Sequence, residues 1–214
     1  MKKKGLFITF EGGEGTGKST QIKLFAEYLK KNGYTVSLTR EPGGSPGAEE
    51  IRSLLLKGAS DKWDKLTEIF LFFAARRDHL TKTIWPALEQ GQVVLSDRFA
   101  DSTLAYQGYG YGYDQKMIDI IENAYQTIAG DFKPDITFIL DINPEIGLKR
   151  SLARSGNVEV RFEGMDLKFH QNLRYAFLKI AAENPTRCKV IDANQSIEQV
   201  HQSIIEAFQE KVRC

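Results

Sequence analysis

Residues 12–19 read Gly12-Gly13-Glu14-Gly15-Thr16-Gly17-Lys18-Ser19, which is the spacing G-x-x-x-x-G-K-[ST]. Glycines permit a tight turn whose backbone N–H groups converge, and a helix beginning there adds its positive N-terminal end. Such a turn binds phosphate oxygens. The Lys18 ammonium would reach the β- and γ-phosphates of a nucleoside triphosphate, the Ser19 hydroxyl would ligand Mg²⁺, and Thr20 would complete a nucleotide-binding stretch from Gly12 to Thr20. A second chemistry-bearing pair, Asp97-Arg98, closes the apolar run Val93-Val94-Leu95-Ser96. A carboxylate at the end of a buried strand suits Mg²⁺ held directly or through water, and the neighbouring guanidinium suits a phosphate.

Three further segments carry candidate binding groups. Arg40-Glu41-Pro42-Gly43-Gly44 combines a stiff turn with two charges, which fits either a ligand loop or a solvated strand exit. Phe72 and Arg76 stand four residues apart and so share one helix face. The apolar stripe 73, 80, 84 and 88 leaves Phe72 outside it, free to stack on a flat base beside the arginine. Residues 150–163 hold Arg150, Arg154, Gly156 and Arg161, a basic stretch that fits a lid closing over transferring phosphates, or a solvated helix end. The alternation Gly108-Tyr109-Gly110-Tyr111-Gly112-Tyr113 reads as a flexible loop near the site, because no basic stripe accompanies it. His79, His170 and His201 lack metal-ligand spacing and read as structural or surface residues.

The elements that must position these groups alternate between two periods. Residues 6–10, 35–39, 93–96, 136–140 and 189–191 are candidate strands of a parallel sheet. Helical patterns cover 20–32, 47–56, 66–89, 115–128, 144–153, 167–183 and 197–212, the third of them interrupted near Pro86. This alternation predicts an α/β fold with a parallel sheet covered by helices on both faces. The polar clusters follow the strands, so they converge at the carboxyl edge of the sheet, where open α/β sheets bind ligands. At 214 residues the chain suits a single domain. A net charge of +1 gives no field to attract nucleic acid or an acidic membrane, so functional cations must act locally. No run approaches the length of a membrane span, and nothing resembles a secretory signal. Cys188 and Cys214 make a disulfide framework improbable and point to a cytoplasmic setting.

Taken together, Phe10-Glu11-Gly12 through Lys18-Ser19, Thr39-Arg40-Glu41-Pro42-Gly43-Gly44, Phe72-Phe73-Ala74-Ala75-Arg76 and Asp97-Arg98-Phe99 with Asp101-Ser102-Thr103-Leu104-Ala105-Tyr106-Gln107-Gly108 resemble the thymidylate kinases of the bacterial type. The similarity spans essentially the whole chain. It implies a P-loop NTPase fold with five parallel strands and an arginine-bearing lid, and transfer of the ATP γ-phosphoryl group to dTMP with Mg²⁺. It further implies that Phe72 stacks on thymine, that Arg76 and Gln107 read its edge with help from Thr103, and that Tyr106 lies beneath the sugar. Arg40, Arg52 and Arg98 match positions near the acceptor phosphate, and Glu14 matches an acid facing the acceptor nucleotide. Gly15 stands where some members carry an arginine, so the resemblance takes the catalytic arginine from the lid, Arg161 first and Arg154 second. It implies a homodimer. A kinase of another nucleoside or nucleotide is the nearest alternative. A regulatory GTP-binding protein would need Asn-Lys-x-Asp and Asp-x-x-Gly strings, and neither occurs.

Overall fold

The computed structural model describes residues 5–57, 62–154 and 164–213. Five strands, β1 (Leu6–Glu11), β2 (Val36–Arg40), β3 (Val93–Asp97), β4 (Ile136–Asp141) and β5 (Cys188–Asp192), form one sheet in the order β2-β3-β1-β4-β5. Every pairing is parallel, with Leu6 opposite Val93, Ile8 opposite Ile136, and Thr137 opposite Cys188. Parallel strands need crossovers, and helices provide them. Val93, Val94, Leu95 and Ser96 are all buried, which is why this strand shows no polar alternation.

Helices α1 (Lys18–Lys31) and α9 (Ile197–Arg213) cover one face. Helix α1 buries Ile22, Phe25, Ala26 and Leu29, the i, i+3, i+4, i+7 stripe of an amphipathic helix, against Ile8, Phe10 and Phe138. It ends at Asn32, and Gly33 follows with φ 80°. On the other face lie α3 (Lys65–His79), α4 (Trp85–Glu89), α6 (Gln115–Ala129) and α8 (Leu167–Glu183). Helix α2 (Pro46–Leu56) packs on α3, and α7 (Pro144–Arg154) packs on α8.

Two departures from expectation concern wide helical turns. Between α3 and α4 the chain does not break at Pro86; residues Leu80–Ile84 form a π-helical stretch that carries the axis through. The wider turn precedes the proline, whose ring would otherwise collide with a carbonyl of the preceding turn. The second departure corrects the loop reading for residues 108–110, while Tyr111, Gly112 and Tyr113 do form a turn. A short helix α5 (Ala100–Thr103) continues into π-helical Leu104–Gly110, with Tyr106, Gln107, Gly108, Tyr109 and Gly110 buried. Glycine here serves packing: a Cβ on Gly110 would stand 2.5 Å from the Phe169 ring. π-Helical turns cluster at functional sites because they re-aim side chains. This one aims Tyr106 and Gln107 at the carboxyl edge of the sheet.

Candidate active site

The phosphate loop leaves the carboxyl end of β1 and enters α1. Gly17, with φ 89°, precedes the helix as its N-cap, and among the described residues no side chain caps it. By contrast Asp64, Asp114 and Asp166 cap α3, α6 and α8. The uncapped end leaves backbone donors and the helix dipole for an anion. Gly15 has φ 66°, and a Cβ there would lie 1.9 Å from the Gly147 carbonyl oxygen. The loop therefore packs on α7 through a position with no room for a side chain. This is the physical reason an arginine cannot occupy residue 15 on this backbone.

Lys18 is buried in the loop and donates to the carbonyls of Gly12 and Gly13 at 3.1 and 2.8 Å. Burial, with Arg98 close by, lowers its ammonium to about 8 against the pull of Glu14, Asp97 and Glu11. Ser19 Oγ donates to Asp97 Oδ2 at 2.8 Å. A hydroxyl and a carboxylate thus stand side by side at the loop, a pair of hard oxygen donors that fits Mg²⁺ with substrate phosphates completing its shell. Thr20 opens with Ser19 onto a shallow surface recess outside the main cavity.

Arg98 is the cation at the centre. Its NH1 donates to the Gly12 carbonyl at 3.0 Å and to Ser102 Oγ at 3.1 Å. Its NH2 donates to Glu14 Oε1 at 3.0 Å and to Tyr106 Oη at 2.9 Å, and the guanidinium lies over the Tyr106 ring. Tyr106 Oη also donates to Glu14 Oε1 at 2.6 Å. Burial raises the Glu14 carboxyl, but Arg98, Lys18 and the Tyr106 hydroxyl outweigh it and hold the group at about 2. Glu14 therefore keeps Arg98 and Tyr106 in place as a full negative charge.

Arg76 is buried beneath the other end of the site. Its Nε donates to Glu41 Oε2 and its NH2 to Thr103 Oγ1, both at 2.8 Å. The guanidinium lies 5.1 Å from the ring centroids of both Phe73 and Phe99. The second Glu41 oxygen pairs with His79 Nδ1 at 3.0 Å, and His79 Nε2 shares a hydrogen bond with Thr39 at 2.6 Å. Burial opposes ionisation of Glu41, and Arg76 with His79 reverses that, so its carboxyl lies below the usual range. Its oxygens are taken, and its work is to hold Arg76. Arg76 NH1 remains buried with no partner among the described residues, and so does Gln107 Oε1.

One cavity of about 430 Å³ joins these groups. Its floor is the loop from Glu14 to Ser19 with Asp97 and Arg98, and its far wall carries Phe72, Arg76, Thr103, Tyr106 and Gln107. Arg40, Glu41 and Arg52 close the third side. Arg40 pairs with Glu49 at 3.1 Å and is largely exposed, while Arg52 donates to the Pro42 carbonyl past the cis Glu41–Pro42 peptide. Gly12 and Gly13 border a separate narrow cleft behind the loop. Arg161 lies outside the described residues; Arg154 ends α7, and its side chain lies outside them too. Sequence reasoning missed Ser102, Glu68, the tie from His79 to Glu41, and the part Glu11 plays in holding Phe99 N–H and Ser102. Glu11 sits just before the glycines and offered a signal, an acid ending a strand that is apolar but for Thr9; Glu68 offered none beyond a place in a first helical turn.

A parallel sheet with an anion loop after its first strand, and a second arginine-lined recess in the same cavity, defines a phosphotransferase of the P-loop class. A family model described as thymidylate kinase matches residues 10–204. A thymidylate kinase of Caulobacter vibrioides is 49% identical over 209 residues, covering 98% of each chain. One from Bradyrhizobium sp. (strain ORS 278) is 52% identical over 211 residues, covering 98% of this chain and 92% of that relative. The crystal structure of thymidylate kinase from Ehrlichia chaffeensis superposes with a TM-score of 0.77 at 40% identity, covering 96% of this chain and 98% of that one. The chain belongs to the thymidylate kinase family.

Proposed function

We propose that the whole chain acts as one kinase domain that transfers the γ-phosphoryl group of ATP to the phosphate of dTMP, giving ADP and dTDP. The observation that carries the acceptor is the unsatisfied pair in the far wall, the Arg76 NH1 donor and the Gln107 Oε1 acceptor. Unpaired buried polar atoms are costly, and a ligand that completes them recovers that cost. A thymine edge offers the complement, O4 to accept and N3–H to donate. Half-buried Phe72 supplies a ring for the base, and Tyr106 an aromatic wall for the deoxyribose.

Two phosphorylated substrates repel each other, and the cations of this cavity oppose that repulsion. Lys18 and the open α1 terminus hold the donor phosphates, while Arg98 lies between the loop and the acceptor side, with Arg40 and Arg52 at the acceptor phosphate. Ser19 and Asp97 would hold Mg²⁺. When bound, that ion neutralises phosphoryl oxygens and fixes their orientation. Arg161 or Arg154 on the lid would add positive charge as the equatorial oxygens of the transferring group gain negative charge, a contribution worth about 10³–10⁵ in rate where it dominates. No covalent enzyme intermediate is needed. The family resemblance supports a homodimer, and the sparse cysteines support a cytoplasmic setting.

A coupled ADP-release assay across dTMP, dUMP, dCMP, AMP and thymidine tests the reading. The expected result is fastest turnover with dTMP and none with thymidine, which lacks the phosphate that the arginines take. Preference for thymidine would favour a deoxynucleoside kinase, and preference for AMP would remove the thymine reading.

A further inference from the structure

The Gln107 amide is nearly symmetric in shape, and only its hydrogen-bond sense differs between its two ends. In this structure Gln107 Nε2 donates to Glu68 Oε1 at 2.9 Å, which leaves the buried Gln107 Oε1 as the atom without a partner. Glu68 is 4% exposed, Gln107 is 6% exposed, and Glu68 is not among the residues that line the cavity. The two come from different elements, Glu68 from the first turn of α3 and Gln107 from the π-helical stretch after α5. A carboxylate accepts, so it admits the NH₂ end of the amide and refuses the oxygen.

Resting on the acceptor reading above, we infer that Glu68 is a positioning residue that sets base selectivity: it turns the Gln107 amide so that an acceptor, not a donor, faces the base. Thymine and uracil present N3–H at that place and are matched. Cytosine presents an N3 lone pair there and meets the amide oxygen acceptor to acceptor. Arg76 NH1 independently prefers the O4 carbonyl to the cytosine amino group, so the two residues act in the same sense. Phe72 and Tyr106 line the cavity and would meet the base face and the sugar, which carry no such distinction.

Glu68→Gln tests the inference with little change of shape. A glutamine at 68 can donate as well as accept, so the Gln107 amide can turn its NH₂ toward the base. The dTMP:dCMP ratio of kcat/KM should fall about tenfold or more, one hydrogen-bond sense in a buried site. It should not invert, because Arg76 is untouched. The dTMP:dUMP ratio should stay within about twofold, since both bases share the same edge. The loss for dTMP should appear in KM, with kcat nearly unchanged, because the amide is remote from the reacting phosphates. If Glu68→Gln does not fold, Glu68→Ala predicts the same change in the dCMP comparison, its amide being unrestrained. An unchanged dTMP:dCMP ratio, or an equal fall in both ratios, would overturn the inference. If the unaltered enzyme shows no preference for dTMP over dCMP, the acceptor reading itself fails, a result distinct from either.

Discussion

Residue 98 adopts φ 69° although it is not glycine. A left-handed backbone costs an L-residue about 1 kcal/mol or more, so neighbouring bonds must hold it. Its N–H donates to the Phe10 carbonyl at 2.9 Å, and Ser96 Oγ donates to its carbonyl at 2.7 Å. The next N–H, of Phe99, donates to Glu11 Oε1 at 2.8 Å, and Ser102 Oγ donates to Glu11 Oε2. Glu11 is wholly buried, and burial with Asp101 nearby pushes its carboxyl up to about 7 despite those donors. The folded chain then holds a proton that the unfolded chain, at the ordinary 4.5, releases. Stability from this group is full below the unfolded value and is lost as pH rises through the folded one. Glu11→Gln removes that dependence. The difference in melting temperature, variant minus parent, should rise from about pH 5 to about pH 8. A constant difference in thermal unfolding across that range would contradict the assignment.

At the scale of elements, the phosphate loop is shaped as much by α7 behind it as by its own turn. Gly15 and Gly13 provide a controlled comparison. A Cβ on Gly15 would collide with a backbone carbonyl at φ 66°, whereas one on Gly13 meets nothing within 4 Å among the described residues and needs no unusual φ. Gly15→Ala should cost more than the roughly 1 kcal/mol of a left-handed alanine, because a backbone atom must also move. Gly13→Ala should stay within about 0.5 kcal/mol. Urea denaturation of both measures the gap, and equal losses would show that the loop does not rest on α7. The helices were legible because burial repeats at fixed intervals along them, and the central strands because they are unbroken apolar runs. The turn from α5 into π-helical Leu104–Gly110 was not, because alternating glycine and tyrosine is also the composition of a loop; its helical state comes from packing against Phe169 and Ile118. Likewise Pro86 read as a break, while the wide turn before it lets the helix continue.

On the scale of the whole molecule, the order β2-β3-β1-β4-β5 places β1 at the centre with β3 beside it. Lys18 follows β1, Arg98 follows β3, and Arg40 ends β2, so one edge of the sheet gathers cations that lie far apart in the chain. That convergence was legible from strand ends alone. The supports were not: the ties of His79 to Glu41, Glu68 to Gln107 and Tyr106 to Glu14 join residues 38, 39 and 92 positions apart, and no local pattern announces them. They fix which way each of these side chains faces in the cavity.

A crystal structure of the protein with a non-hydrolysable ATP analogue and dTMP bound together bears most directly on that arrangement. The γ-phosphate should lie at the Gly12–Ser19 loop and the acceptor phosphate beside Arg98, with the thymine edge on Arg76 NH1 and Gln107 Oε1. A monophosphate lodged outside this cavity, or a thymine turned away from that pair, would contradict the account.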